Sequence, residues 1–365
     1  MTDLNENMPE AFGAALEPLL GALDVMAFVA RHMHPPDLPD IVAAIGYADT
    51  PVREQMAALQ NLTLPDEMQP VLQRINTASG AVCAVFEEMR RAAAKPKGLM
   101  EAYYALRHGI QAREVLYPLT AQLPAISRHF LEESAREDQD LLGRIAAGAG
   151  KSGTGLMHSS DTSAAVRGGF SIYIPETYDA AIPHPVMLAL HGAGGTGRAF
   201  LWTWLRAART RGVILVSPTS RAPTWSLDGP DIDTPNLSSL MDQVRERWNV
   251  DERRMLMTGM SDGGSFTYMS GLLEDQPYTH LAPVAASFPP LMLEFYKAER
   301  MKGLPVHITH GALDWLFPPA QGRAMAAGLE SFDAKVIYRE IDDLSHTNPD
   351  DDENAEVMDW FLGKA

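Results

Sequence analysis

The chain has 365 residues, more than one hydrophobic core usually serves, so two domains are expected. Its formal net charge of −17 at pH 7 argues against binding nucleic acid through phosphates and against docking on anionic lipid. A single cysteine, Cys83, excludes an intramolecular disulfide and fits a reducing, cytoplasmic setting. The apolar stretch of residues 11–30 is interrupted by Glu17 and Asp24, so neither a signal peptide nor a membrane span is expected.

The first 146 residues carry a helical pattern. Apolar residues recur there at intervals of three and four, the spacing of one face of a helix. The clearest run is Met68, Val71, Leu72, Ile75, Val82, Val85, Phe86 and Met89. Because prolines divide the pattern into helices of modest length, we expect an all-helical N-terminal domain over residues 1–146.

Two roles for this helical domain stay open. Met100, Tyr103 and Tyr104 favour an adaptable apolar face that caps the mouth of an active site. The alternative is a packing module through which two copies of the chain form a homodimer.

Residues 147–163 are rich in Gly, Ser, Thr and Ala and are almost free of large apolar side chains. This composition is typical of a linker or a long surface loop. A second domain is therefore expected over residues 164–365.

The second domain alternates between strand and helix patterns. The predicted strands are 170–174, 186–190, 213–217, 255–258, a segment around Val284, 306–309 and 336–341. The predicted helices are 200–208, 237–248, 265–273 and 355–362. Apolar strands that alternate with helices indicate an α/β fold, a mostly parallel sheet flanked by helices.

One motif lies where a predicted strand gives way to a helix. The segment Gly259-Met260-Ser261-Asp262-Gly263 matches Gly-x-Ser-x-Gly. A sharp strand-to-helix turn projects the serine oxygen above the sheet, and glycines on either side avoid clashes there. We predict that Ser261 is a nucleophile.

A serine alcohol needs a base, and in this type of fold the chain order is serine, acid, histidine. His346 follows the predicted strand 336–341 and precedes the last helix, so it is the predicted base. His310, at the end of the strand 306–309, is the alternative.

The predicted acid is Asp314, just past the end of that same strand, where a loop can aim its carboxylate at the imidazole. Asp342 and Asp343 are rivals, although they lie close to His346 along the chain.

The negative oxygen of a tetrahedral intermediate needs two N–H donors. One is predicted to be the amide of Asp262, directly after the nucleophile. The other is expected in the loop of residues 191–195, whose small residues allow close approach of the backbone. Ala193 is the preferred donor and Gly194 the second, with His191 bracing the loop.

Two tryptophans are candidates for binding substrate. Trp225 lies in a loop past a strand end, and Trp315 directly follows the predicted acid. An aromatic wall suits an acyl or aromatic ester. Ordinary packing is the alternative for each.

From about Gly169 to its C-terminus, the chain resembles the α/β-hydrolase carboxylesterases, in particular the phospholipase/carboxylesterase and polyhydroxybutyrate-depolymerase-like groups. The similar segments are Gly169-Phe170-Ser171-Ile172-Tyr173-Ile174-Pro175, His191-Gly192-Ala193-Gly194-Gly195, Gly259-Met260-Ser261-Asp262-Gly263, His310-Gly311-Ala312-Leu313-Asp314 and Ser345-His346-Thr347. The resemblance implies hydrolysis of carboxylic esters without a cofactor or metal. It does not extend to the helical N-terminal region.

The function expected is hydrolysis of small-molecule esters of short to medium chain length through a Ser-His-Asp triad and an acyl-enzyme. A hydroxyalkanoate-type polyester depolymerase and a serine peptidase or amidase are the alternatives, because they use the same triad. A non-enzymatic binding protein on a hydrolase scaffold would lack a triad member, and Ser261, Asp314 and His346 are all present.

Overall fold

A computed structural model describes residues 8–60, 65–95, 98–159 and 166–364. The chain divides between Glu137 and Asp138 into two compact units. Within the ranges described, no helix combines the length and the apolar character that crossing a bilayer requires.

The first unit is helical throughout its described residues, as the periodicity predicts. Its helices are α1 (Met8–His32), α2 (Leu38–Ile45), α3 (Thr50–Gln60), α4 (Gln69–Ala93), α5 (Leu99–Ala105), α6 (Arg107–Leu116) and α7 (Pro124–His129). Single 3-10 turns are Pro35–Asp37, Asp66–Met68, Tyr117–Ala121 and Glu133–Ala135.

Helix α4 carries much of the core of this unit. Its buried residues include Val71, Ile75, Val82 and Phe86, all members of the predicted apolar stripe. Asp49 is one of the charged residues buried in the same unit, and its carboxylate accepts two hydrogen bonds from Arg90, at 2.8 and 2.9 Å, and one from Arg53. Burial opposes ionisation of Asp49, but these hydrogen bonds outweigh it and lower the pKa of the carboxyl.

The second unit is built on an eight-stranded sheet with the strand order β1-β2-β4-β3-β5-β6-β7-β8. The strands are β1 (Gly155–His158), β2 (Phe170–Ile174), β3 (His184–Leu190), β4 (Ile214–Pro218), β5 (Val250–Met260), β6 (His280–Val284), β7 (Pro305–Gly311) and β8 (Lys335–Ile341). Strand β2 is antiparallel to both of its neighbours, whereas β4, β3, β5, β6, β7 and β8 are all parallel. The predicted α/β fold class is confirmed.

Helices precede, connect and follow the strands. They are α8 (Gln139–Gly148), α9 (Gly197–Arg211), α10 (Asp233–Arg247), α11 (Asp262–Gly271), α12 (Ala298–Met301), α13 (Pro319–Glu330) and α14 (Asp351–Leu362), with a 3-10 helix at Pro290–Phe295. Side chains set several of the ends. Thr196 caps the start of α9, and Asp350 forms a capping box with Glu353 at the start of α14. Both helices end at a glycine in the left-handed conformation.

The central strands are buried on both faces. Every residue of β4 is buried, as are consecutive residues of β3 from Val186 to Leu190. A strand whose successive side chains are all buried must have a covered layer on each side of the sheet, because those side chains point alternately to the two faces. The unbroken apolar runs in the sequence therefore reflect a parallel sheet with helices on both faces.

The structure differs from the predicted domain limits in two places. Helix α8, predicted to lie in the helical domain, belongs to the second unit. A Cβ on Gly148 would lie 1.8 Å from the carbonyl oxygen of Glu176, so the end of α8 rests directly on the backbone after β2. In addition, part of the predicted linker, Gly155–His158, pairs with β2 as an edge strand. Only one neighbour holds an edge strand, so its sequence needs no continuous apolar run.

Two leucines of the second unit offer a matched test of this burial. Leu188 on β3 is fully buried, whereas Leu291 on the 3-10 helix is 77% exposed. We expect Leu188→Ala to lower the free energy of unfolding of this unit by about 2–5 kcal/mol, because it removes buried methyl groups and leaves a cavity. Leu291→Ala should change it by less than about 0.5 kcal/mol. Denaturant unfolding followed by circular dichroism measures both, and equal losses would contradict the layered core.

Candidate active site

Ser261 lies at a strained turn between β5 and α11. Its backbone angles are φ 58° and ψ −120°, an unusual combination for a residue with a side chain. Hydrogen bonds on both sides secure the turn: Ser261 N–H donates to Val284 O, and Ser261 O accepts from Ser265 N–H, each at 2.9 Å. The side chain is thereby held at the carboxyl edge of the parallel strands, where loops from several strands meet.

Gly259 and Gly263 are required because other segments of the backbone approach them closely. A Cβ on Gly259 would lie 2.4 Å from backbone atoms of Gly263, and a Cβ on Gly263 would lie 2.3 Å from Leu190 O. Both distances are far below van der Waals contact. The turn can therefore form against β3 only with glycine at these two positions.

The structure brings Ser261, His346 and Asp314 together. His346 Nε2 lies 3.0 Å from Ser261 Oγ, and His346 Nδ1 lies 2.9 Å from Asp314 Oδ2. Ser261 is 7% exposed, and the Asp314 side chain is fully buried. The rival carboxylates, Asp342 and Asp343, are on exposed residues beside the loop.

Asp314 is an ionised carboxylate held in a tight turn after β7. Its Oδ1 accepts hydrogen bonds from the backbone N–H groups of Leu316 and Phe317, at 2.9 and 2.7 Å. Burial would raise the pKa of Asp314, but hydrogen bonds from His310, His346 and the Phe317 N–H outweigh burial and hold that pKa well below its usual range. The negative charge is thus present next to the His346 ring at neutral pH.

The loops that carry Asp314 and His346 are packed on each other. Leu313 N–H donates to Leu344 O at 3.0 Å. A Cβ on Gly311 would lie 2.2 Å from Leu344 O and 2.6 Å from Ser345 O, so only glycine permits this approach. The Phe317 ring also meets the His346 ring edge-on, with centroids 5.1 Å apart. These contacts set the position of His346 relative to the acid.

His191 braces the loop after β3, as predicted. Its Nε2 accepts a hydrogen bond from Ser220 N–H at 3.1 Å, so Nδ1 carries the proton and donates to Gly192 O at 2.7 Å. Burial lowers the pKa of His191 to about 4, which keeps the ring neutral. A Cβ on Gly192 would lie 3.5 Å from the Ser261 Cβ, so this loop passes directly beside the serine.

The two predicted N–H donors in the loop of residues 191–195 differ in whether they already make a hydrogen bond. Among the described residues, no hydrogen bond engages the N–H of Ala193. The N–H of Gly194 donates to Pro223 O at 2.9 Å, so the second predicted donor is already occupied. As the first residue of α11, Asp262 has an N–H without an intrahelical acceptor. Of the three predicted donors, Ala193 and Asp262 therefore have N–H groups without an acceptor among the described residues.

Trp225, a candidate for binding substrate with ordinary packing as the alternative, is buried. It is 2% exposed, its indole stacks on Phe266, and its Nε1 donates to His191 O at 2.7 Å. Both the apolar and the polar parts of the ring are thus satisfied inside the protein. Trp225 therefore supports the loop of residues 191–195 through its hydrogen bond to His191 O, in line with the packing alternative.

Trp315 is 45% exposed, and its neighbours Leu313 and Leu316 are exposed by 39% and 45%. All three flank the buried Asp314 on the same turn. The turn therefore presents an apolar surface next to the residues that hold His346.

Two contacts at the site were not anticipated from the sequence. His310, considered only as an alternative base, lies against Asp314 rather than Ser261, with 3.3 Å between Nε2 and Oδ2. Thr224 donates through Oγ1 to the side chain of Asp262 at 2.5 Å. The four-residue spacing of His310 and Asp314 at a strand end was the only signal for the first contact, and nothing signalled the second.

Sequence comparison finds esterases. The chain is 28% identical over 150 residues to a bifunctional acetylxylan esterase/xylanase of Neocallimastix patriciarum, covering 40% of this chain and 22% of that protein. It is 26% identical over 107 residues to a probable feruloyl esterase C of Aspergillus oryzae, covering 27% of this chain and 39% of that protein. The chain thus spans well under half the length of either relative. No protein-family model matches it.

Among solved structures, a thermostable esterase aligns with 53% of this chain and 58% of its own, at 19% identity and a TM-score of 0.45. The sheet and the strand–serine–helix turn define the class of fold: the second unit has an α/β-hydrolase fold, and the chain is similar in sequence to named esterases. The resemblance predicted from the sequence motifs is confirmed.

The buried neutral His191 predicts a pH dependence of stability. Its pKa is about 4 in the folded chain, against 6.5 in the unfolded one, so the unfolded state binds more protons between these values. The stabilisation is therefore complete above about pH 6.5 and declines as the pH falls towards about 4. We expect His191→Asn to lose less stability on acidification than the wild type, by up to about 3 kcal/mol, since one pKa unit equals about 1.4 kcal/mol.

Denaturant unfolding of both proteins at about pH 7 and about pH 4.5 measures this difference. Identical losses would show that His191 is not held neutral by the fold.

Proposed function

We propose that the chain is a serine carboxylesterase, with Ser261 as nucleophile, His346 as general base and Asp314 as the acid that orients it. The observation that carries this proposal is the continuous hydrogen-bond chain Ser261 Oγ–His346 Nε2 and His346 Nδ1–Asp314 Oδ2, at 3.0 and 2.9 Å. Both lengths are within reach for proton transfer and orientation. The similarity to named esterases supports the same reaction class.

The first half of the reaction acylates the serine. His346 Nε2 accepts the hydroxyl proton of Ser261 while Oγ attacks the carbonyl carbon of the ester. The carbonyl oxygen becomes an oxyanion, for which the N–H groups of Asp262 and Ala193 are the proposed donors. As the tetrahedral intermediate collapses, His346 gives its proton to the departing alcohol and an acyl-serine remains.

The second half releases the acid. A water molecule attacks the acyl carbon as His346 accepts its proton, and the same two amides bind the second oxyanion. When the bond to Oγ breaks, the proton returns to Ser261 and the carboxylic acid leaves. Asp314 stays ionised throughout, because its hydrogen bonds keep the pKa of its carboxyl low, and it keeps the Nδ1 proton of His346 in place.

The surroundings of the serine favour neutral or cationic esters over anionic ones. Asp262 and Asp314 place carboxylates close to the reacting atoms, and the chain as a whole carries a formal charge of −17. We propose esters of short to medium chain length, with Trp315 as a binding surface for an apolar or aromatic group of the substrate. Its exposed indole lies on the turn that holds Asp314.

The nucleophile is tested by Ser261→Ala. We expect the variant to lose about four to six orders of magnitude in kcat on p-nitrophenyl esters, because the attacking oxygen is absent. The matched control is Ser270→Ala on the same helix, whose hydroxyl accepts from Thr234 and does not reach His346. That control should keep its activity.

Acetate, butyrate, octanoate and laurate esters measure the chain-length preference, with a p-nitroanilide and a polyhydroxyalkanoate film as further substrates. Cleavage of only the anilide would replace the esterase by an amidase, and cleavage of only the film would favour a polyester depolymerase. Full activity of Ser261→Ala would exclude the proposed nucleophile.

Replacing Trp315 and replacing Trp225 should have different effects on KM and kcat. Because Trp315 is exposed beside the site, Trp315→Ala should raise KM for aromatic esters by roughly 3- to 30-fold, equivalent to about 0.6–2 kcal/mol, with little change in kcat. Because Trp225 supports the loop of residues 191–195, Trp225→Phe should lower kcat without raising KM. Steady-state kinetics on p-nitrophenyl and aliphatic esters distinguishes the two, and an unchanged KM for Trp315→Ala would remove it from the binding surface.

A further inference from the structure

A second histidine lies behind the acid. His310 is 1% exposed at the carboxyl end of β7, and its Nε2 has two oxygen neighbours. One is Phe317 O at 2.8 Å, and the other is Asp314 Oδ2 at 3.3 Å. Neither the reaction mechanism nor the packing of apolar side chains accounts for this polar group.

The neighbours of His310 determine where its proton lies. A carbonyl oxygen and an ionised carboxylate both accept hydrogen bonds, so Nε2 must carry the hydrogen. The other nitrogen, Nδ1, is buried and has no hydrogen-bond partner among the described residues. A proton on Nδ1 would therefore be a buried donor without an acceptor, which is costly. His310 is thus oriented to donate a hydrogen bond from Nε2, while Nδ1 has no acceptor among the described residues.

The Nε2–H group of His310 contacts both ends of the short turn from Asp314 to Phe317. Phe317 N–H donates to Asp314 Oδ1 at 2.7 Å, while Phe317 O accepts from His310 at 2.8 Å. The same His310 nitrogen also faces Oδ2, the oxygen that accepts from His346 at 2.9 Å. His310 therefore contacts Phe317, the residue whose N–H donates to Oδ1, and also lies against the other carboxylate oxygen, Oδ2.

Neighbouring residues limit the position of the His310 ring. A Cβ on Gly322 of α13 would lie 2.9 Å from His310 Nδ1 and 3.0 Å from a ring carbon of Tyr338. Only glycine leaves room for the imidazole between α13 and the turn. Helix α13 therefore limits the position of the His310 ring on its Nδ1 side, and the two acceptors lie at Nε2.

We propose that His310 is a positioning residue, whose Nε2–H group holds the Asp314 carboxylate and its turn in the orientation that His346 requires. The proposal rests on the proposed function, since it assigns His310 a part in the work of the Ser261–His346–Asp314 chain. His310 does not touch the reacting atoms. It acts through Asp314, because a small rotation of the carboxylate would misplace the imidazole relative to Ser261 Oγ.

The test compares His310→Leu, which removes the donor, with His310→Gln, which keeps an N–H near the position of Nε2. We expect His310→Leu to lower kcat for p-nitrophenyl butyrate roughly 10- to 100-fold while KM stays within about twofold, as for lost supporting contacts at other sites. His310→Gln should recover most of the loss. The matched control is His307→Leu: His307 is also a buried histidine of β7, but it packs near Trp360 and has no contact with Asp314. That control should keep the wild-type kcat.

A second readout needs no substrate. The proton between His346 Nδ1 and Asp314 Oδ2 is expected to give a far-downfield ¹H NMR signal in the wild type and in His307→Leu. In His310→Leu this signal should shift or broaden, and in His310→Gln it should return. Because the signal is independent of turnover, an enzyme that proves inactive on esters would count against the proposed function and leave the role of His310 measurable.

Thermal unfolding establishes that each variant is folded. If His310→Leu does not fold, Gly322→Ala provides the test, since its methyl group displaces the imidazole from the Nδ1 side and leaves its chemistry intact. Gly322→Ala should then lower kcat and shift the same NMR signal. The proposal is overturned if folded His310→Leu matches His307→Leu in kcat and in the NMR signal, or if His310→Gln loses as much kcat as His310→Leu.

Discussion

The backbone strain at Ser261 is the constraint on which the second unit depends. A residue with a side chain at φ 58° costs about 1–3 kcal/mol, and the surrounding structure must supply that energy. Here the stabilising contacts come from the strands on either side of β5. Val284 of β6 holds the Ser261 N–H, and the backbone of Leu190 at the end of β3 packs against Gly263. The order of the sheet, with β5 between β3 and β6, is therefore what allows a serine oxygen to project over its edge.

The same edge organises the charge of the site. Asp314 is a fully buried side chain that remains ionised because four donors surround it: two backbone N–H groups of its own turn, His346 and His310. A buried carboxylate without such donors would take up a proton and lose its influence on the imidazole. On the opposite side of Ser261, His191 is kept neutral by burial and uses both ring nitrogens to shape the loop that carries Ala193. Asp314 therefore contributes a fixed negative charge to the site, whereas His191 contributes a neutral ring.

Several elements were predictable because their signals are local. The strands β2, β3 and β8 were placed to within two residues, since short runs rich in aromatic and β-branched or other apolar residues mark them. Strand β1 was missed because its four residues, Gly155–His158, are too few to form such a run and lie in a stretch rich in glycine, serine and threonine. The sequence also left the role of Trp225 open between substrate binding and packing. Its environment depends on Phe266 and on His191 O, which lie 41 and 34 residues away in sequence, and no local pattern reports such contacts.

The sequence by itself determined the class of fold and the candidate residues Ser261, Asp314 and His346. Their types, their order and their places after strands follow from requirements that act over a few residues. Only the tertiary structure decided which amides are free, which tryptophan is exposed and what lies behind the acid. Gly194 is occupied by Pro223, Trp315 rather than Trp225 reaches the surface, and His310 meets Asp314 instead of Ser261. Each of these outcomes depends on where separate loops meet at the edge of the sheet, and that meeting is set by packing between elements rather than by any one segment of the chain.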